Sequence, residues 1–133
     1  MTNGAAVDSH GNIYTMNTGT GTIWRLEMLA DHKLGTVTKV VESPLLLGAD
    51  GVVVGPGDTL YMNANFRNTF AKVSPTGAIT VLASDSTNPG LFHFPAELVR
   101  DGKTFYIANL DFPIGANAAA HRPGASIVKV TLP

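Results

Sequence analysis

The sequence predicts an all-β chain of repeated antiparallel sheets, and three observations carry that prediction. A pattern of apolar run, glycine turn and second apolar run ending in tyrosine occurs three times, as Asn3 to Tyr14, Asp50 to Tyr61 and Pro95 to Tyr106, superimposing without a gap. The tyrosines lie 47 and 45 residues apart. The 14 glycines and 8 prolines, with many threonines and asparagines, suit frequent turns between short strands. Helical periodicity is lacking: no stretch of about 11 residues keeps apolar side chains at three-to-four spacing without a glycine or proline. The nearest, Trp24 to Leu34, begins by alternating as a strand does.

Each unit opens with a β-hairpin, turning at His10-Gly11-Asn12, Pro56-Gly57-Asp58 and Asp101-Gly102-Lys103. A third strand follows in every case: Thr22 to Met28, Thr69 to Ser74 and Ser126 to Leu132, each with an Arg or Lys near its middle. A fourth strand closes the first two units, Thr36 to Glu42 and Ala78 to Ala83, and none closes the third. Runs such as Gly51 to Gly55 are apolar throughout because both faces of such a sheet are covered by neighbours. Tyr14, Tyr61, Tyr106 and Trp24 recur at strand positions and are expected in the core.

Four short antiparallel strands per roughly 40–50 residues is the pattern of a β-propeller blade. The chain is read as one partial propeller domain, residues 1–133, with blades at 3–43, 48–84 and 95–133. It is expected to supply about three four-stranded antiparallel blades of a six-bladed ring, the last lacking its outer strand. Three blades do not close a ring. The missing blades are expected either in the same parent chain or in a homodimer of half-rings. Left uncovered, the two end faces would expose more apolar surface than monomers carry.

Composition narrows the partners. Hydrophobic residues make up 44% and charged residues 14%, with a net charge of −1. That balance offers no basic field for phosphates, so neither nucleic acid nor a membrane surface is expected as partner. No run approaches about 18 apolar residues, and the Met1-Thr2-Asn3-Gly4 start has neither part of a signal peptide, so a soluble chain is expected. With no cysteine, thiol catalysis, disulfides and cysteine-bound zinc are excluded. Serine-hydrolase elbows, phosphate loops and His-Glu-x-x-His motifs do not occur.

The residues Asn3-Gly4-Ala5-Ala6-Val7-Asp8 with Gly11-Asn12-Ile13-Tyr14, Asp50-Gly51-Val52-Val53-Val54 with Leu60-Tyr61-Met62-Asn63, and Phe105-Tyr106-Ile107-Ala108-Asn109 carry a resemblance. Along its whole length the chain resembles the six-bladed propellers of the senescence marker protein and gluconolactonase family. NHL-type and strictosidine-synthase-like propellers share much of the same grammar. The family resemblance implies one divalent cation, calcium or zinc, on the central axis. There it would polarise the carbonyl of a small lactone or ester. It further implies Asn3 as a metal ligand, and Asn17 where the family has its catalytic or ligand aspartate. An asparagine can ligate but cannot accept a proton as a base, so Asn17 departs from that pattern. The resemblance thus leaves two functions open, a metal-dependent sugar-lactone or ester hydrolase and a non-catalytic binding or scaffolding propeller.

Other polar residues fall at strand ends that face the axis of such a ring. Asp50 occupies the slot of Asn3 in the second unit, and Asn63 and Asn65 flank the slot of Asn17 there. Asn109 and Asp111 occupy that slot in the third unit, Asp111 as a second catalytic candidate. His93, just before an inner strand, and His121, in the long Asn109 to Gly124 loop, complete the ligand-binding candidates. For each of these a turn, cap or structural role is the competing reading. Glu97, two residues past the slot, reads as an ion-pair partner or backbone cap, and His10 and His32 as solvated turn residues.

Overall fold

In the computed structural model, which describes residues 1–119 and 124–133, the polar turn clusters separate eleven strands into three antiparallel sheets. The first sheet runs β1 (Thr2–Val7), β2 (Ile13–Asn17), β3 (Thr22–Met28) and β4 (Leu34–Glu42) in chain order. The second repeats it with β5 (Ala49–Val54), β6 (Leu60–Ala64), β7 (Thr69–Val73) and β8 (Ile79–Ser84). The third has β9 (Pro95–Asp101), β10 (Thr104–Asn109) and β11 (Ser126–Thr131), leaving β11 as an edge. The first strand of each sheet lies innermost, with β1 packed against β5 and β5 against β9. This is a partial β-propeller. No helix among the described residues is long and apolar enough to cross a membrane.

Period-two alternation gives each blade two faces, and the core forms where the front of one meets the back of the next. Tyr14, Met16 and Ile23 on the front of the first blade meet Val52, Leu60, Met62 and Val73 on the back of the second. Val53, Tyr61 and Phe70 on the front of the second meet Leu98, Phe105, Ile107 and Val128 on the back of the third. Phe105 packs in tilted contact with Tyr61 at 4.7 Å and Phe70 at 4.9 Å, ring centre to ring centre. The tyrosines therefore do not share one environment. Tyr14 is buried, whereas Tyr106 and Trp24 are exposed, because no neighbouring blade covers the front of the third sheet or the back of the first. Their expected core position is corrected accordingly.

Register also corrects the repeat. Tyr14 faces Ala6 and Tyr61 faces Val53, but Tyr106 faces Val99, one residue closer in sequence. The third hairpin turn is one residue shorter, which a gapless superposition cannot register. The third-blade equivalent of Asn3 and Asp50 is therefore Ala96 rather than Pro95.

Candidate functional site

Each inner strand carries a β-bulge near its start, a device that adds one residue and re-aims its neighbours. Pairing shifts between Asn3 and Ala5 on β1, between Ala49 and Val52 on β5, and between Pro95 and Leu98 on β9. In the first two blades the bulge holds Gly4 and Gly51. A Cβ on Gly4 would strike the Asp50 carbonyl oxygen, and one on Gly51 would approach the Ala96 carbonyl oxygen to 2.5 Å. Each bulge thus brings one inner strand hard against the next. In the third blade the same place holds Glu97, exposed, its Oε1 accepting from the Leu98 backbone N–H at 2.9 Å. Sequence reasoning set Glu97 apart from the slot; the shorter third turn was the signal that puts it at the bulge.

Asp50 lies half-buried at the centre of this row. Asn65 Nδ2 donates to its Oδ2 at 3.0 Å, and the Asn3 side chain hydrogen-bonds to it as well. Burial pushes the Asp50 carboxyl above the ordinary aspartate range and the Glu97 charge adds to this, while the bonds from Asn65 and Asn3 offset it only in part. Asn3 turns its own Oδ1 to the Gly4 N–H at 3.0 Å. Asn63, fully buried between the second and third blades, donates from Nδ2 to the Ala96 carbonyl at 3.3 Å. The Oδ1 atoms of Asn63 and Asn65 are buried without a hydrogen-bond partner among the described residues.

The remaining sequence candidates lie elsewhere. Asn17 Oδ1 accepts from the backbone N–H groups of Gly19 and Thr20 at 3.0 and 3.2 Å, which shapes the turn into β3. Asn109 is buried, its Oδ1 accepting from the His93 N–H and its Nδ2 donating to the Leu91 carbonyl and Ser126 Oγ. His93, just ahead of β9, forms a separate hydrogen-bonded row with Asn117 and Asp111 of the loop after β10. His93 Nδ1 lies 3.3 Å from Asn117 Oδ1, and Asn117 Nδ2 donates to Asp111 Oδ1 at 3.2 Å and to the Phe112 carbonyl at 2.8 Å. The second ring nitrogen of His93 lies 3.0 Å from the Gly90 carbonyl. Asn117 had not been singled out, since nothing in its sequence neighbourhood marks it. His121 lies outside the described residues.

Donor chemistry decides which cation suits the axial row. Asp50, Asn3, Asn63 and Glu97 offer oxygen atoms only, which fit a hard cation such as calcium. Among the described residues no histidine reaches this row, and the chain has no cysteine, so the row as described offers none of the nitrogen or sulfur ligands that zinc favours. The unpartnered Asn63 Oδ1 is an acceptor that a cation would satisfy. A cleft of about 570 Å³ between Leu45, Arg67, Val81 and Asp85 opens at the outer part of the second blade and includes none of the axial side chains.

No family model and no curated protein matches the chain. Among solved structures, a selenomethionine-substituted virginiamycin B lyase from Staphylococcus aureus aligns with 80% of this chain and 33% of its own. The TM-score is 0.61 at 17% identity. A streptogramin B lyase structure aligns with 99% of this chain and 41% of its own, with a TM-score of 0.63 at 14% identity. At these identities the likeness establishes the propeller fold. The chain spans between a third and about two-fifths of the length of these proteins.

Proposed function

We propose that the chain supplies part of the axial site of a propeller enzyme that opens a small lactone or ester, with Asp50 as proton acceptor. The reading rests on the half-buried Asp50 carboxyl, whose proton affinity is raised where two amide side chains orient it. A carboxylate in that state accepts a proton near neutrality more readily than an exposed one. It would take a proton from water as the water oxygen bonds to the carbonyl carbon, and the departing alkoxide would recover a proton as the ester C–O bond breaks. Asn65 and Asn3 fix the carboxyl by hydrogen bonding, and Asn63 keeps an amide oxygen available for ligation. A divalent cation bound there, calcium by donor type, would supply polarisation of the carbonyl. The names of the proteins with the same fold, virginiamycin B lyase and streptogramin B lyase, are in keeping with an enzyme.

The binding-module reading keeps one specific support. Asn17, in place of an acid, has its amide oxygen committed to a backbone turn. A panel of sugar lactones and aryl esters, assayed with calcium, zinc or chelator and paired with calorimetric binding, separates the two. Turnover lost on chelation and lowered about 100-fold or more in D50N, with binding retained, supports the enzyme. Binding without turnover in the unsubstituted protein rejects it in favour of the module.

A further inference from the structure

Both ring nitrogens of His93 meet oxygen atoms that cannot donate. Nδ1 lies 3.3 Å from Asn117 Oδ1, and Nε2 lies 3.0 Å from the Gly90 carbonyl. The Asn117 amide cannot turn over to offer its nitrogen instead, because that nitrogen already donates to the Phe112 carbonyl at 2.8 Å and to Asp111 Oδ1 at 3.2 Å. Backbone bonds hold the histidine in place: its N–H donates to Asn109 Oδ1 at 3.2 Å, and its carbonyl accepts from the Asp111 N–H at 2.8 Å. A neutral imidazole has one N–H and one lone pair, so it satisfies one of the two oxygens and repels the other. An imidazolium, with two N–H groups, satisfies both.

We propose that His93 is a proton-operated latch on the connection between β8 and β9. Doubly protonated, it ties the Gly90 carbonyl to Asn117; neutral, it keeps Asn117 and lets Gly90 go. The two oxygens are unequal, which decides that order. Asn117 is fully buried, so its oxygen would be left without a partner, whereas Gly90 is exposed and its carbonyl can turn to water. Gly90 lies in the left-handed region at φ 79°, and its N–H donates to Asp85 Oδ1 at 2.7 Å. Release at Gly90 therefore loosens residues 85–90, of which Asp85 and Ser86 line the cleft of about 570 Å³. Among the described residues the charged groups around the latch are Asp85, reached through the Gly90 N–H, Asp111, reached through Asn117, and Arg67, which lines that cleft with Asp85. Two carboxylates against one guanidinium leave the surroundings of the ring net negative.

Isotope-edited NMR of the histidine rings and amide hydrogen exchange on the full chain test this without any assay of activity, from about pH 5 to pH 8, where histidine changes charge. At the acid end both His93 nitrogens should carry protons, and at the alkaline end Nδ1 alone. Over the same span the protection of the Gly90 and Leu91 amides, corrected for the intrinsic rise of exchange with pH, should fall about 3- to 10-fold, the scale of one hydrogen bond. The Phe94 amide, bonded to Asn68 Oδ1 at 2.8 Å, should keep its protection and serves as the reference. H93Q, whose side chain does not titrate, should show no such fall. If H93Q does not fold, the ring protons and amide protection of the unsubstituted protein decide. A ring with one proton at the acid end, a proton kept on Nε2 rather than Nδ1 at the alkaline end, or protection at Gly90 and Leu91 that ignores pH overturns the latch. The same fall in H93Q overturns it as well.

Discussion

Asp8 and Asp50 sit at opposite ends of the inner strands, and their carboxyls are pushed in opposite directions. Burial raises the Asp8 carboxyl too, but the Asn12 side chain and the backbone N–H groups of Asn12 and His10, at 2.8 to 3.0 Å, outweigh it and hold the group below its usual range. Across the blade junction Asp58 is lowered by the Ser9 backbone N–H and hydroxyl. These carboxylates, with His10, form a close cluster around a pocket of about 430 Å³, yet the Asp8 oxygens are already engaged in turn hydrogen bonds and those of Asp58 in bonds from Ser9 across the blade junction. At the Asp50 end two amides donate, a second carboxylate stands close enough to oppose ionisation, and two amide oxygens have no partner among the described residues. The turn end is built to hold the blades, whereas the bulge end retains unspent bonding capacity.

Glycine substitutions break the two ends most unequally. Gly4 and Gly11 both have positive φ, 60° and 86°. A methyl group at Gly4 would collide with the backbone of Asp50, while at Gly11 nothing lies within 4 Å. Gly11→Ala should cost about 1 to 2 kcal/mol, the price of the left-handed conformation alone. Gly4→Ala, with a steric clash added at an interblade contact, should cost on the order of 3 kcal/mol or more. Urea unfolding of both variants checks the contrast; equal losses would place no special contact at the bulge. Asp8→Ala comes next, at about 2 kcal/mol for the loss of a nearly buried acceptor serving several donors. A loss within about 0.5 kcal/mol, the scale of an ordinary surface change, would mean the turn stands without it.

The blade repeat was legible because hairpin tyrosines, glycine turns and apolar runs are local features with a fixed period. All eleven strands of the described residues follow from it, with three rather than four in the third blade. The site was less legible because its geometry is set across strands. One residue lost from the turn before Thr104 moves Glu97 into the bulge, yet leaves every neighbouring residue type unremarkable. Asn17 and Asn109 fall at equivalent strand ends, but the first shapes a turn and the second ties the loop ahead of β9 to β11. Asn65 lies just past the end of β6, and its bond to Asp50 joins residues 15 apart. Composition shows none of these partnerships.

The opposite charge preferences of the two ends should separate in a pH series of melting temperatures. Asp8 and Asp58 are lowered in the folded chain, so the stability they contribute is present above the usual aspartate value of 3.8 and is lost as pH falls through their folded values. D58N should therefore flatten the acid side of the curve relative to the unsubstituted protein. Asp50 has the reverse sign. Its folded form binds the proton more tightly than the unfolded form, so its contribution is fully present below 3.8 and declines as pH rises through the raised folded value. D50N keeps the side-chain shape and an oxygen for the Asn65 amide while removing the charge that Glu97 opposes. It should melt above the unsubstituted protein at pH 7 and lose that advantage below pH 3.8. The gain should be small, because half of the carboxyl is screened by water. A D50N protein that melts lower at pH 7 would show that the Asp50 charge stabilises the axial end, erasing the electrostatic difference between it and Asp8.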